Sequence, residues 1–367
     1  MGFQCGIVGL PNVGKSTIFN ALTATAVPAE NYPFCTVDPN VGVVEVPDSR
    51  LRRLGEIYQP EEVTPTALEF VYIAGLVRGA SKGEGLGNQF LAQIRQVDAI
   101  AHIVRCFEDE NVTHVQGRID PADDIETINT ELSLRDLNSV QNRKERLEKP
   151  ARTGDKSARE ELGVLEKVLD HLSDGKPVRT LNLDNGEKQL LRPLFLLTSK
   201  KVVYVANVSE EESLSGSPSV YTKQVLEHAD DIGSEVIVLC GKLEADIAAL
   251  SSEEEREAFL DEYGLQESGL DKLIHAGYQL LNLITFFSVS KKEVHAWTVR
   301  DGAKAPEAAG KIHTDMERGF IRAEVFQYSD IDEHGSEKAL RDRGLIRQEG
   351  RDYVVKDGDV LFIRFNV

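Results

Sequence analysis

Gly9-Leu10-Pro11-Asn12-Val13-Gly14-Lys15-Ser16-Thr17 has the residue types and spacing to hold a polyphosphate: a glycine, four residues, then Gly-Lys-Ser. The run lies between the apolar stretch Cys5 to Val8 and an amphipathic segment that begins near Lys15. That is the strand, loop and helix setting in which a phosphate-cradling loop works. Backbone N–H groups of Asn12, Val13 and Gly14 are expected to converge on the phosphates, with the helix N-terminus adding its positive end. Lys15 would meet the β and γ phosphates, the Ser16 hydroxyl would ligate Mg²⁺, and Thr17 would complete the nucleotide contacts. A nucleotide switch also needs a second metal ligand and a γ-phosphate sensor. Thr36, in a long loop with Pro28, Pro33 and Pro39, fits the first role. The N–H of Gly75, at the end of an apolar strand, fits the second.

The surrounding pattern supplies elements to position these groups. Short apolar runs at Gln4 to Val8, Gly42 to Val46, Ala67 to Ile73 and Ala99 to Phe107 alternate with helical stretches from Lys15 to Ala24 and from Leu86 to Val97. This alternation predicts an α/β fold with a doubly wound, mostly parallel sheet. From Asp123 to Leu172 apolar residues recur at helical spacing on both sides of a break at Pro150 to Asp155, which predicts an antiparallel helical hairpin. The sheet pattern returns at Val202 to Ala206 and Glu235 to Cys240. Ser252 with Glu255 three positions on predicts a capped helix start. Beyond Ile284, runs at Thr285 to Val289, Val294 to Val299, Ile321 to Phe326, Asp352 to Lys356 and Val360 to Phe365 predict a small α+β module with a short helix near Ala305 to Ile312. Trp297, on an alternating strand, is expected in its core.

The chain of 367 residues has a net charge of −19, which disfavours generic polyanion binding and confines any RNA contact to a local basic patch. One such window holds Arg143, Lys144, Arg146, Lys149, Arg152, Lys156 and Arg159; Lys291, Lys292, Arg318 and Arg322 form a second candidate group. On composition the first window is equally the solvated flank of a coiled coil. No window has the length and apolarity of a membrane span, and no leader is expected before the first strand. Cys5, Cys35, Cys106 and Cys240 lack zinc or disulfide spacing and are expected to be reduced thiols in a cytoplasmic protein.

Three runs together carry a specific resemblance: the phosphate loop itself, Ile73 to Asn88 (IAGLVRGASKGEGLGN), and His313 to Ala323 (HTDMERGFIRA). They resemble the YchF family of Obg-related P-loop NTPases over essentially the whole chain. The resemblance implies a G domain at 1–125 and 198–280, an inserted helical coiled coil at 126–197, and a TGS domain of β-grasp type at 281–367. It also implies a slow ATPase, monomeric and cytoplasmic, that acts on the ribosome. Guanine specificity in such domains comes from Asn-Lys-x-Asp; the matching positions here are Asn207-Val208-Ser209-Glu210. The lysine is absent and the carboxylate is one methylene longer, so ATP is expected in preference to GTP, with backbone groups near Val208 reading adenine. The family's Asp-Ile-Ala-Gly, whose aspartate holds a water on Mg²⁺, reads Tyr72-Ile73-Ala74-Gly75 here. A neutral phenol cannot replace that carboxylate, which points either to weakened hydrolysis or to an altered sequence. Leu76 stands where many GTPases place a water-orienting glutamine. The family's substitute is a histidine on a mobile segment, matching His114; on the residues alone His114 is equally a surface-loop histidine.

Overall fold

The computed structural model of the chain describes residues 3–24, 40–74 and 86–366. Thr36, Gly75, Leu76 and Cys35 lie outside these described residues. Among the described residues, one unit of the chain holds 3–24, 40–42, 69–74 and 86–273, and a second holds 43–68 and 274–366.

In chain order, β1 (Gln4–Val8) leads to α1 (Lys15–Ala24), β2 (Val41–Glu45), α2 (Ser49–Tyr58), β3 (Glu62–Thr64), β4 (Ala67–Tyr72), α3 (Leu86–Gln96) and β5 (Ala99–Arg105). A hairpin of α4 (Pro121–Arg152) and α5 (Lys156–Ser173) precedes β6 (Lys201–Asn207) and β7 (Val236–Leu239). The first sheet has the order β2-β4-β1-β5-β6-β7, and β4, β1, β5, β6 and β7 are parallel neighbours. Every residue of β5 and all but the first of β6 are buried. Continuous apolar runs of this kind belong to strands covered on both faces. Parallel strands present their carboxyl ends along one edge, where ligands bind in open α/β sheets. The phosphate loop follows β1, Tyr72 ends β4, Arg105 ends β5 and Asn207 ends β6.

The hairpin is held by a seam of Val140, Leu147, Val164, Leu165, Val168 and Leu172. Its first helix runs through Pro150 to Arg152, so the break expected from Pro150 falls after the proline, at Thr153 to Asp155. Asp155 then caps α5 by accepting from the Ala158 N–H at 3.2 Å. Ser252 accepts from the Glu255 N–H at 3.2 Å, as its spacing predicts, but the Glu255 carboxylate turns to the Ser251 N–H at 2.9 Å.

In the second unit, β8 (Leu283–Val289), β9 (Glu293–Arg300), β10 (Phe320–Gln327), β11 (Arg347–Glu349) and β12 (Asp359–Phe365) form a sheet of order β11-β10-β12-β8-β9-β3. Asp352 to Lys356 is not a strand. Only Val354 makes a bridge, to Lys304, while the shorter Arg347–Glu349 pairs with β10. β3 adds as a parallel edge strand on β9, with Val63 opposite Val294. β3 therefore belongs with the sheet of the second unit. Ala305, Ala308 and Ala309 bring a helix close against this sheet, and Trp297 packs beside that core, its ring stacked on His295 at 3.7 Å.

Candidate functional site

Backbone geometry makes the phosphate loop. Gly9 and Gly14 sit at φ +153° and +100°, and Asn12 at +62°. A Cβ on Gly9 would come within 2.5 Å of the Ile103 carbonyl, and one on Gly14 within 2.1 Å of Asn207 Nδ2. Only glycine fits at either place. The Ile18 N–H bonds to the Gly14 carbonyl at 3.0 Å, so α1 starts directly from the loop with Lys15 and Ser16 in its first turn.

Lys15 is 5% exposed and donates from Nζ to the Leu10 carbonyl at 2.6 Å. Burial disfavours the ammonium, and its pKa is lowered to about 8. This has a measurable consequence. A polyphosphate would hold Lys15 charged, so binding must take up the proton that the free protein has lost above pH 8. ATP affinity is therefore expected to be nearly flat up to pH 7 and to fall about tenfold between pH 7 and pH 9. Calorimetry at the two values checks it, with Lys15→Met as the control that removes the slope.

Asn207 braces the loop. Its Nδ2 donates to the Val13 carbonyl at 2.9 Å, and its Oδ1 accepts from the Gly241 N–H at 2.9 Å. Glu210 opens the helix Glu210–Ser215, which Ser209 caps, and lies 3.7 Å from Lys242. Val208 is buried and its N–H is committed to the Leu239 carbonyl at 2.9 Å. The expectation that groups near Val208 read adenine is narrowed accordingly: the donor for adenine N1 cannot be that amide.

Tyr72 bears on the metal position directly. Its hydroxyl lies 3.0 Å from Ser16 Oγ, and its ring packs on Phe19 at 5.5 Å between centroids. Among the described residues no group of three or more His, Cys, Asp and Glu side chains could hold a metal. Of the two metal ligands expected from the sequence, only Ser16 lies among the described residues, and its hydroxyl already shares a hydrogen bond with the phenol. It fits an ion that brings its own phosphate and water ligands and does not fit one needing a carboxylate.

His114 is buried, which corrects its reading as a surface-loop residue. Its Nε2 lies 3.0 Å from Asp124 Oδ2, and its Nδ1 accepts from the Gln116 N–H at 3.2 Å. That acceptor role puts the ring proton on Nε2, donating to the carboxylate. Burial raises the Asp124 pKa, and the His114 contact opposes the rise. Asn12 Nδ2 donates to the Thr113 carbonyl at 3.1 Å, tying the phosphate loop to the residue before His114.

The structure thus gathers Asn12, Val13, Gly14, Lys15, Ser16, Tyr72, Asn207 and the His114 segment around one sheet edge. The sequence did not single out Arg105, Asp124 or Gly241. A charged residue closing a strand that is apolar apart from His102 was the available signal for Arg105.

The hairpin's basic window is partly consumed internally. Arg143 makes two hydrogen bonds with Glu161, at 2.6 and 2.9 Å, and Lys144 pairs with Glu166 at 3.1 Å. Arg146, Lys149, Arg152, Lys156 and Arg159 are exposed at the tip. Cys5, Cys106 and Cys240 are buried free thiols. No described helix is long and apolar enough to cross a membrane.

Comparison with known proteins places the same landmarks together. A family described as a 50S ribosome-binding GTPase matches residues 4–143, and the YchF GTPase C-terminal family, described as a protein of unknown function (DUF933), matches residues 283–366. The chain is 54% identical to a ribosome-binding ATPase YchF of Shigella flexneri and 53% identical to that of Bacillus subtilis, each over the full length of both chains. A solved structure of the Schizosaccharomyces pombe YchF GTPase superposes with a TM-score of 0.89 at 38% identity, covering 99% of this chain and 98% of that one.

Proposed function

The chain belongs to the YchF family, and from that premise we propose that it is a ribosome-associated nucleotide-binding protein that hydrolyses ATP slowly as a switch on the translation machinery. The observation that carries the nucleotide half is the phosphate loop braced by Asn207, with Lys15 and Ser16 in the first turn of α1. The ribosome half is supported by the relatives' shared description and by the exposed basic tip of the hairpin. We further infer the division into a G domain at 1–125 and 198–280, an inserted coiled coil at 126–197 and a TGS domain at 281–367, a cytoplasmic location and a monomeric state.

In this reading Asn12 to Thr17 hold the phosphates, Asn207 and Glu210 shape the base loop, Thr36 joins Ser16 as a metal ligand, and Gly75 senses the γ-phosphate. His114 orients the attacking water. Mg²⁺ bound with the nucleotide would supply charge neutralisation between the β and γ phosphates. Ser16 would hold it on the protein side. The incomplete Asn-Lys-x-Asp pattern favours ATP over GTP; a tenfold tighter GTP affinity by calorimetry would reverse that assignment.

A second reading rests on the hydrogen bond between Tyr72 and Ser16. If the phenol keeps Ser16 from the metal, hydrolysis is incidental and the protein is a nucleotide-tuned binding module for ribosome or RNA. Cosedimentation with ribosomes in ATP, ADP and no nucleotide separates the two. At least a fivefold difference in bound fraction between ATP and ADP is the result expected of a switch; equal binding in all three leaves the module. Charge reversal at Arg146, Lys149 and Lys156 should weaken that binding and flatten its salt dependence.

A further inference from the structure

We propose that Arg105 is a positioning residue for hydrolysis, the clasp that holds the segment carrying His114 in place beside the phosphate loop. The proposal rests on the reading of His114 as the water-orienting group. Arg105 closes β5, and only 2% of it is exposed. Its guanidinium donates from Nε to the Phe107 carbonyl at 3.0 Å, from one Nη to the Val112 carbonyl at 2.8 Å, and from the other to the Asp109 carbonyl at 3.4 Å. The Phe107 ring lies 4.6 Å beneath it. Among the described residues it has no ion-pair partner. Burying a cation is costly, and burial disfavours the Arg105 charge, while the Asp109 and Asp124 carboxylates favour it without closing an ion pair. A turn that merely needed closing could be closed by neutral groups.

The guanidinium does something that neutral groups cannot do as compactly. Its rigid fork of five donors engages three carbonyls of one six-residue stretch at once. That stretch ends two residues before His114. From the other side, Asn12 of the phosphate loop bonds to the Thr113 carbonyl. The backbone leading to His114 is therefore fixed at 107, 109, 112 and 113, by β5 and by the loop that holds the phosphates. Arg105 and His114 also line one open cleft of about 660 Å³, with Glu108, Arg118 and Tyr221. Tyr221 donates to Glu108 at 2.8 Å and anchors the cleft's outer wall. His114 can thus exchange Asp124 for a water without the segment itself drifting.

The test is a mutant cycle on the full chain, run in the parent and in a Tyr72→Asp background. Arg105→Lys keeps the charge and loses the fork. It is expected to lower kcat about tenfold with KM and ATP affinity unchanged within twofold, and to cost less than a further twofold when His114→Ala is already present. Phe107→Ala, which removes the half-buried ring under the guanidinium, is expected to show the same pattern more weakly, and it serves where Arg105→Lys fails to fold. Unchanged kcat, or the same tenfold loss in the His114→Ala background, overturns the proposal. If His114→Ala alone leaves kcat unaltered, the reading of His114 fails and the positioning role goes with it. Absence of turnover in both backgrounds would sink the ATPase reading beneath both.

Discussion

Tyr72→Asp is expected to raise Mg²⁺-dependent ATP turnover roughly ten- to hundredfold and to lower the Mg²⁺ concentration needed for half-maximal rate. The reason lies at the end of β4, where the Tyr72 hydroxyl shares a hydrogen bond with Ser16 Oγ at 3.0 Å. Ser16, in the first turn of α1, is the side chain expected to ligate the ion. A phenol there has two effects: it competes for that hydroxyl, and it offers no negative charge to the ion's water shell. An aspartate removes the competition and adds the charge. A tenfold change in rate corresponds to about 1.4 kcal/mol, a modest demand on a carboxylate that stabilises a metal-bound water. Tyr72→Phe separates the two effects, because it frees Ser16 without adding charge. A rate rise in Tyr72→Phe equal to that in Tyr72→Asp would assign the defect to the hydrogen bond alone. Equal rates in the parent and Tyr72→Asp would clear Tyr72 altogether.

What the sequence disclosed depends on whether a role is local in the chain. The phosphate loop is contiguous, and its glycines are demanded by backbone angles and close contacts, so nine residues were enough to read it. The parallel sheet was legible for a similar reason, since strands buried on both faces are largely continuous apolar runs. Arg105 is the opposite case. Its partners are carbonyls at 107, 109 and 112, groups that every residue possesses, so no side-chain pattern advertises the contact. His114 was noticed, but its burial was not legible, because that burial depends on Asp124, which lies in the first turn of a helix that also buries Ile125 and Ile128. In the second unit, β3 and β11 have three residues each, too short for alternation to show. Asp352 to Lys356 alternates like a strand for another reason. The Tyr353 hydroxyl donates to Asp359 at 2.8 Å and Val355 is buried, so the inward residues serve the core of a turn rather than a ladder.

Asn207→Ala is expected to weaken ATP binding about a hundredfold, the largest loss of affinity predicted for any residue outside the phosphate loop itself. Asn207 is 4% exposed and bonds only to backbone: the Val13 carbonyl and the Gly241 N–H, both at 2.9 Å. Truncation strands both groups where water cannot replace the amide. Each stranded group costs about 1–3 kcal/mol, so the pair amounts to about 2–6 kcal/mol, part of it recovered as the loop relaxes. Relaxation is what harms binding. The N–H groups that cradle a phosphate act by being fixed in advance, and a loop that wanders must be reordered at the expense of affinity. Asn207→Asp makes the sharper variant. Its carboxylate can still accept from Gly241 but presents an oxygen to the Val13 carbonyl, so only the bond to the phosphate loop is lost and replaced by repulsion. If the brace acts through Val13, Asn207→Asp binds ATP at least as poorly as Asn207→Ala. Near-parental affinity in Asn207→Asp would shift the role from the phosphate loop to the Gly241 side.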